Sequence, residues 1–229
     1  MTRMTGDAVR SAYSARAVEY AGALGSIGNA AAPDIALVTD WARTLRGPVV
    51  DVGCGAGQWT QLLVNLGCEA EGIDPVPEFI DIARAAHPDV TYRVGRAEDL
   101  GVPGGTLGGV LAWYSLIHTD PTLIGDALTE FARCVRPGGN LALGFFTGSA
   151  LKPFEHAITT AWFWPVDQLQ QKVEEAGFTV THTETRSDPG SRPHGAILAR
   201  RRQPRSSSVW KDDPPLSTWP TRRTDGRHT

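Results

Sequence analysis

Three glycines, Gly53, Gly55 and Gly57, alternate with Cys54 and Ala56, and the carboxylate of Asp51 precedes the first by two residues. Glycines so spaced let a chain turn sharply and bring its backbone against a ligand with no Cβ between them. Val49, Val50 and Val52 suit a buried parallel strand, while Leu62, Leu63 and Leu66 fall on one face of a following helix. A strand, a glycine turn and a helix whose free N–H groups point at the turn make a crevice for a nucleotide-like ligand. The third glycine stands at the fifth position of the run rather than the sixth, where the dinucleotide fingerprint has it. Asp51 would repel a pyrophosphate and attract an ammonium or sulfonium group.

Two more stretches carry matching chemistry. Gly72-Ile73-Asp74-Pro75 ends the next strand, where a carboxylate can accept hydrogen bonds from both hydroxyls of a ribose. Asp74 could also simply start a turn or cap the next helix. Gly95-Arg96-Ala97-Glu98-Asp99-Leu100 follows a third strand, and backbone groups of Arg96 and Ala97 there could read the edge of an adenine. The alternative is a surface turn.

The surrounding pattern must hold these residues together. Asp7–Leu24 reads as one amphipathic helix with Asp7 as N-cap, and Pro33 opens a second. Strands at about 48–52, 68–73, 90–94, 107–114 and 141–146 alternate with helices at about 57–66, 76–86 and 122–135. Arg136-Pro137-Gly138-Gly139 reads as a helix stop and turn before the fifth strand. After a helix at 166–176, the runs 178–186 and 194–200 form a hairpin that adds antiparallel pairing to one sheet edge. Such β-α alternation predicts an α/β fold, a parallel sheet covered by helices on both faces.

The pieces VVDVGCGAGQWT, GIDP, GRAEDL, LAWYSLIH and CVRPGGNLAL occur in that order between about Val49 and Phe146. In this the chain closely resembles the class I S-adenosylmethionine-dependent methyltransferases, with weaker similarity from Tyr13 to Phe178. It looks most like the small actinobacterial-type members that carry AWYSLIH and a later AWFWP-like segment. The resemblance implies a Rossmann-like, doubly wound, seven-stranded sheet, mostly parallel with an antiparallel last strand. It implies S-adenosyl-L-methionine in the crevice, with Asp51, Gly53, Cys54 and Gly55 near the methionine portion and Trp59 close by. Asp74 and Pro75 would serve the ribose, Arg96, Ala97 and Glu98 the adenine, and Trp113 would lie beside the cofactor. Residues 1–46 become N-terminal helices acting as a lid, 47–202 the cofactor-binding domain, and 203–229 a disordered tail. Leu151–Pro165 also falls where such enzymes carry a substrate lid. No Asn-Pro-Pro-Tyr-type signature follows the fourth strand, which argues against methylation of nucleic-acid bases or glutamine.

A sulfonium methyl is already activated, so in-line positioning supplies most of the acceleration. A base helps only when the nucleophile arrives protonated. His118 is the best-placed candidate, the alternative being a capping or packing role. His156 and His194 read as structural or substrate-orienting. Tyr13, Tyr20, Trp59, Tyr114, Trp162 and Trp164 either line an acceptor pocket or belong to the core.

The 229 residues suffice for one domain with an appendage, and 41% hydrophobic against 21% charged residues is ordinary for a globular protein. No apolar run reaches the roughly 18 residues of a membrane span, and the first twenty residues lack a secretory apolar stretch. Three cysteines fit neither a disulfide framework nor a metal-ligand pattern, so a cytoplasmic protein without a metal is expected. The net charge of −3 divides into an acidic body and a basic stretch from Arg200 onward. An acidic body argues against a broad nucleic-acid surface. The expected activity is methyl transfer to oxygen or nitrogen of a small molecule. The competing readings are a non-catalytic binder of the cofactor or its product, a nicotinamide oxidoreductase, and a nucleic-acid methyltransferase using the tail.

Overall fold

Alternate residues of the central strands face opposite ways, and both sets are apolar. On one side Val50, Val52, Val110, Ala112, Leu141, Leu143 and Ile197 join a single buried cluster. On the other, Val49, Leu111, Trp113, Ala142 and Ala196 join a second. A strand buried on both faces needs helices on both. The computed structural model, which describes residues 2–203, has that arrangement.

The helices are α1 (Thr2–Ser14), α2 (Ala17–Leu24), α3 (Ala32–Arg43), α4 (Gln58–Asn65), α5 (Pro77–Ala86), α6 (Ile124–Cys134) and α7 (Val166–Glu175). The strands are β1 (Val49–Val52), β2 (Ala70–Asp74), β3 (Thr91–Val94), β4 (Leu107–Trp113), β5 (Val135–Thr147), β6 (Lys152–Glu155), β7 (Thr160–Trp164), β8 (Phe178–Arg186) and β9 (His194–Arg201). Phe131 and Leu128 of α6 and Leu169 and Val173 of α7 cover the first face. Val38 and Trp41 of α3 and Trp59 and Leu63 of α4 cover the second.

The main sheet runs β3-β2-β1-β4-β5-β9-β8. The first five strands are parallel. β9 enters antiparallel between β5 and β8, pairing Asn140↔Arg200 through Phe146↔His194 on one side. The expected seven strands with an antiparallel last one are therefore present. A further hairpin, β6–β7, was not foreseen: it joins the end of β5 through Phe146↔Phe163 and Thr147↔Trp164, inside the stretch expected to act as a lid.

Two other expectations need correction. The Asp7–Leu24 helix is broken at Ala15–Arg16, and Asp7 lies inside α1 rather than at its cap. The break lets Tyr13 of α1 and Ala17 and Tyr20 of α2 all pack over Val76 and Phe79. Arg136–Gly139 is not a separate turn but a bulge within β5. The ladder jumps from Leu107↔Val135 to Gly109↔Asn140, with Gly138 at φ +78°. Pro137 has no N–H to give a ladder, so the strand bows out there and resumes pairing. The expected tail from residue 204 onward lies outside the described residues.

Candidate functional site

The carboxyl ends of β1, β2 and β4 open on one cavity of about 570 Å³. Right after β1 the backbone reverses at Gly53 (φ +70°) while the Gly53 and Cys54 amides donate to the Ile73 carbonyl at 2.8 and 3.0 Å. A Cβ on Gly53 would stand 2.3 Å from the Cβ of Ser115. Gly55 (φ +55°) differs: a Cβ there would meet nothing within 4 Å. That open spot lies on the cavity wall, where a ligand can press directly on backbone.

Asp74 closes the loop from the next strand. Its Oδ2 accepts the Gly55 amide at 2.9 Å and its Oδ1 the Val76 amide at 2.9 Å. Each carboxylate oxygen keeps a further lone pair for a ligand hydroxyl. Burial pushes the Asp74 carboxyl up to about 6, against the two amide hydrogen bonds that favour its charge. Arg96, Ala97 and Glu98 form the adjoining wall, with Arg96 Nε 3.4 Å from Glu98 Oε2. Cys54, Trp59, Pro75 and Trp113 also face the cavity, and the Trp59 and Trp113 rings are 5.7 Å apart.

Every residue expected at the site reaches this cavity except Asp51. Asp51 is fully buried behind the loop, where the Thr60 hydroxyl of α4 donates to its Oδ2 at 2.7 Å. Burial raises its carboxyl to about 7, with Asp74 adding to the rise and Thr60 opposing it. Asp51 thus stands behind the loop and not on the cavity wall, and its side chain fastens the loop to α4.

The other end of the cavity is aromatic. His118 Nδ1 lies 2.7 Å from the Thr160 carbonyl. A carbonyl only accepts, so Nδ1 carries the proton and Nε2 is left as an acceptor. The Tyr13 hydroxyl fills that role, donating to Nε2 at 2.8 Å. Burial lowers the His118 pKa, opposed by the Thr160 carbonyl, so the ring is neutral at pH 7. His156 stands 5.1 Å from His118 ring to ring, its own pKa lowered to about 4 by burial, then by His118 and Arg192. Across the cavity the Tyr114 hydroxyl and His194 Nδ1 are 2.6 Å apart, and burial lowers the His194 pKa as well. Tyr114 sits at φ +57°, the one non-glycine residue among those described with a left-handed backbone.

Of the aromatic candidates, Tyr13, Tyr20, Trp59 and Tyr114 line the cavity, whereas Trp162 and Trp164 pack in or against the core below α7. Phe146 and Asp34 line it without having been singled out. Phe146 had a signal, since it stands at the carboxyl end of a parallel strand beside the glycine loop. Asp34 had none, because its partner Arg186, at 2.9 Å, comes from β8.

Residues 49–139 match the family described as a methyltransferase domain. An uncharacterized methyltransferase of Mycobacterium tuberculosis is 37% identical over 95 residues, 42% of this chain and 38% of the relative. The ubiquinone biosynthesis O-methyltransferase of Xanthomonas oryzae is 37% identical over 101 residues, 42% of this chain and 41% of the relative. The chain thus spans about two-fifths of the length of these curated relatives. Among solved structures, the 1,6-didemethyltoxoflavin-N1-methyltransferase of Burkholderia thailandensis, seen with bound 1,6-didemethyltoxoflavin and S-adenosylhomocysteine, has a TM-score of 0.69. It is 19% identical, covering 89% of this chain and 91% of that one, a likeness of fold.

Proposed function

We propose that the chain is a class I S-adenosylmethionine-dependent methyltransferase that transfers a methyl group to oxygen or nitrogen of a small molecule, a reading supported by the methyltransferase-domain match over residues 49–139 and by the methyltransferase relatives. The observation that carries this is the pairing of Asp74 with the open Gly55 cradle, 2.9 Å apart on one cavity wall. A nucleoside needs a carboxylate for its ribose, and a methionine portion needs bare backbone beside it. Both are here, and the cavity falls in the few-hundred-Å³ range typical of small-molecule sites.

When bound, S-adenosylmethionine supplies a methyl group already activated on a sulfonium. Gly53, Cys54 and Gly55 hold its methionine end by backbone, Asp74 and Pro75 its ribose, and Arg96, Ala97 and Glu98 its adenine. Trp59 and Trp113, which line the same cavity, would shield the bound cofactor from water. His118, with its proton fixed on Nδ1, offers Nε2 to the acceptor's proton. The N-terminal helices would serve as the lid, since Asp7 and Tyr13 of α1 and Tyr20 of α2 lie on the cavity wall.

Thermal shift tests the reading. Saturating S-adenosylhomocysteine, at about a hundred times its dissociation constant, adds ~2.7 kcal/mol and raises Tm by roughly 5–11 °C in a domain of this size. Asp74→Ala removes most of that rise, and the rise shrinks below about pH 6 as Asp74 protonates. A rise with NAD alone would overturn the assignment. Release of S-adenosylhomocysteine during turnover separates an enzyme from a binder.

A further inference from the structure

The acceptor end of the cavity already holds a phenol. Tyr13 reaches in from α1 and gives its O–H to His118 Nε2, the only lone pair that ring has to offer. Resting on the methyl-transfer reading above, we propose that the methyl acceptor is an uncharged, flat hydroxyl compound of the phenol class, whose O–H replaces that of Tyr13 on His118 Nε2.

The tautomer comes first. With Nδ1–H committed to the Thr160 carbonyl, Nε2 can accept but not donate, so its partner must bring a hydrogen. Aromatic rings surround that point. The rings next to His118 are Tyr13 and His156, and those next to His194 are Tyr114 and Phe146. Burial holds all three imidazoles neutral. The nearest carboxylate to the Tyr114–His194 pair that lines the cavity, Asp34, is taken up by Arg186. Arg192 lies 4.9 Å over the Phe154 ring and donates to the Glu155 carbonyl. An ionised carboxylate has no hydrogen to bring to Nε2. Tyr114, Phe146 and His194 pack against one another, with centres 5.3 and 5.8 Å apart, into an aromatic wall on which a planar ring can lie.

The base strength agrees. An aliphatic ammonium has no lone pair until it loses a proton, and an imidazole weakened by burial does not take that proton. A phenol attacks with a lone pair while its O–H still rests on Nε2. As the O–C bond forms and the C–S bond breaks, the bonding electrons go to sulfur and the proton passes to Nε2. The products are an aryl methyl ether, a neutral thioether and an imidazolium, which gives its proton to water.

The test uses the whole protein saturated with S-adenosylhomocysteine and calorimetric titration of phenol, anisole, benzoate and benzylamine. Phenol is expected to bind more tightly than either ion and than anisole, which has no hydrogen to exchange for that of Tyr13, and the margin over anisole should widen to about fivefold in Tyr13→Phe, the worth of one hydrogen bond. His118→Ala should erase the preference over anisole. Tyr13→Phe should tighten phenol several-fold by vacating Nε2, with the melting temperature confirming that the variant folds. Equal binding of phenol and anisole by the wild type, or preference for benzylamine or benzoate, would overturn the acceptor class alone. Weaker or unchanged phenol binding in Tyr13→Phe would do the same. Failure of S-adenosylhomocysteine to bind at all would overturn the methyl-transfer reading and the acceptor class with it.

Discussion

His118 is held from both sides of its ring, by a carbonyl that fixes one nitrogen and a phenol that borrows the other. Its proposed role predicts that His118→Ala lowers kcat by about 10²–10⁴ while the shift with S-adenosylhomocysteine persists. The rate should be flat through neutral pH and fall on the acid side, below the ordinary histidine value of 6.5. Stability follows the same sign: the neutral ring contributes fully above the unfolded value, and that contribution is lost as pH falls through the lowered folded one. Asp51 behaves oppositely. Its carboxyl is raised to about 7 when folded, so its share of stability is present at low pH and is lost as pH rises through 7. Thr60→Val removes the one side-chain donor on that carboxylate and should cost about 1–3 kcal/mol, more at pH 8 than at pH 6 in paired urea melts. Asp51 was legible as a charge beside the glycines, but not the direction its side chain takes, because Thr60 binds it from the next helix. The Tyr13–His118 bond was beyond reach for a plainer reason. The partners are 105 residues apart, and no local pattern in the chain links them.

At the scale of elements, the loop between β1 and α4 was readable because its requirements are local. Apolar run, glycine spacing and helical face all lie within about twenty residues, so propensity and tertiary structure agree. Its glycines nonetheless have separate duties, and alanine should tell them apart. Gly53→Ala drives a Cβ into Ser115 at 2.3 Å and should unfold or severely destabilise the domain. Gly55→Ala meets no protein atom and should cost only about 1–2 kcal/mol for its left-handed backbone, yet abolish the thermal response to S-adenosylhomocysteine. Equal loss of stability in both variants would remove the distinction. The elements misjudged are those whose ends depend on distant partners. The split between α1 and α2 answers to Phe79 on α5, and the β6–β7 hairpin forms because β5 outruns β4 and leaves Phe146 and Thr147 free to pair. Trp162 then donates its amide to the Ile117 carbonyl, fastening the hairpin beside His118.

Across the whole molecule, one end of the sheet gathers side chains from α1, β1, β2, β4, β5 and β9 around a single cavity. The β-α alternation made the parallel half of that sheet legible: β1 and β2, β2 and β3, and β4 and β5 are neighbours joined by one helix, while β4 returns without a helix to pair with β1. The placement of β9 is different in kind. It inserts beside β5, filling an edge along Asn140–Phe146 that nothing nearer in the chain pairs with on that side. During synthesis that edge stays bare for some fifty residues, a long apolar template open to another chain. A protein truncated after Gly190 should therefore pellet in a sedimentation assay where the full chain stays in solution; a soluble, monomeric truncation would count against this. The first residue of β9 is His194, which pairs with Phe146 and approaches the Tyr114 hydroxyl. One strand thus seals the sheet and delivers the last wall of the cavity. A chain that stops before β9 lacks both the partner of the β5 edge and one wall of the cavity, so the same missing strand exposes the sheet and leaves the site incomplete.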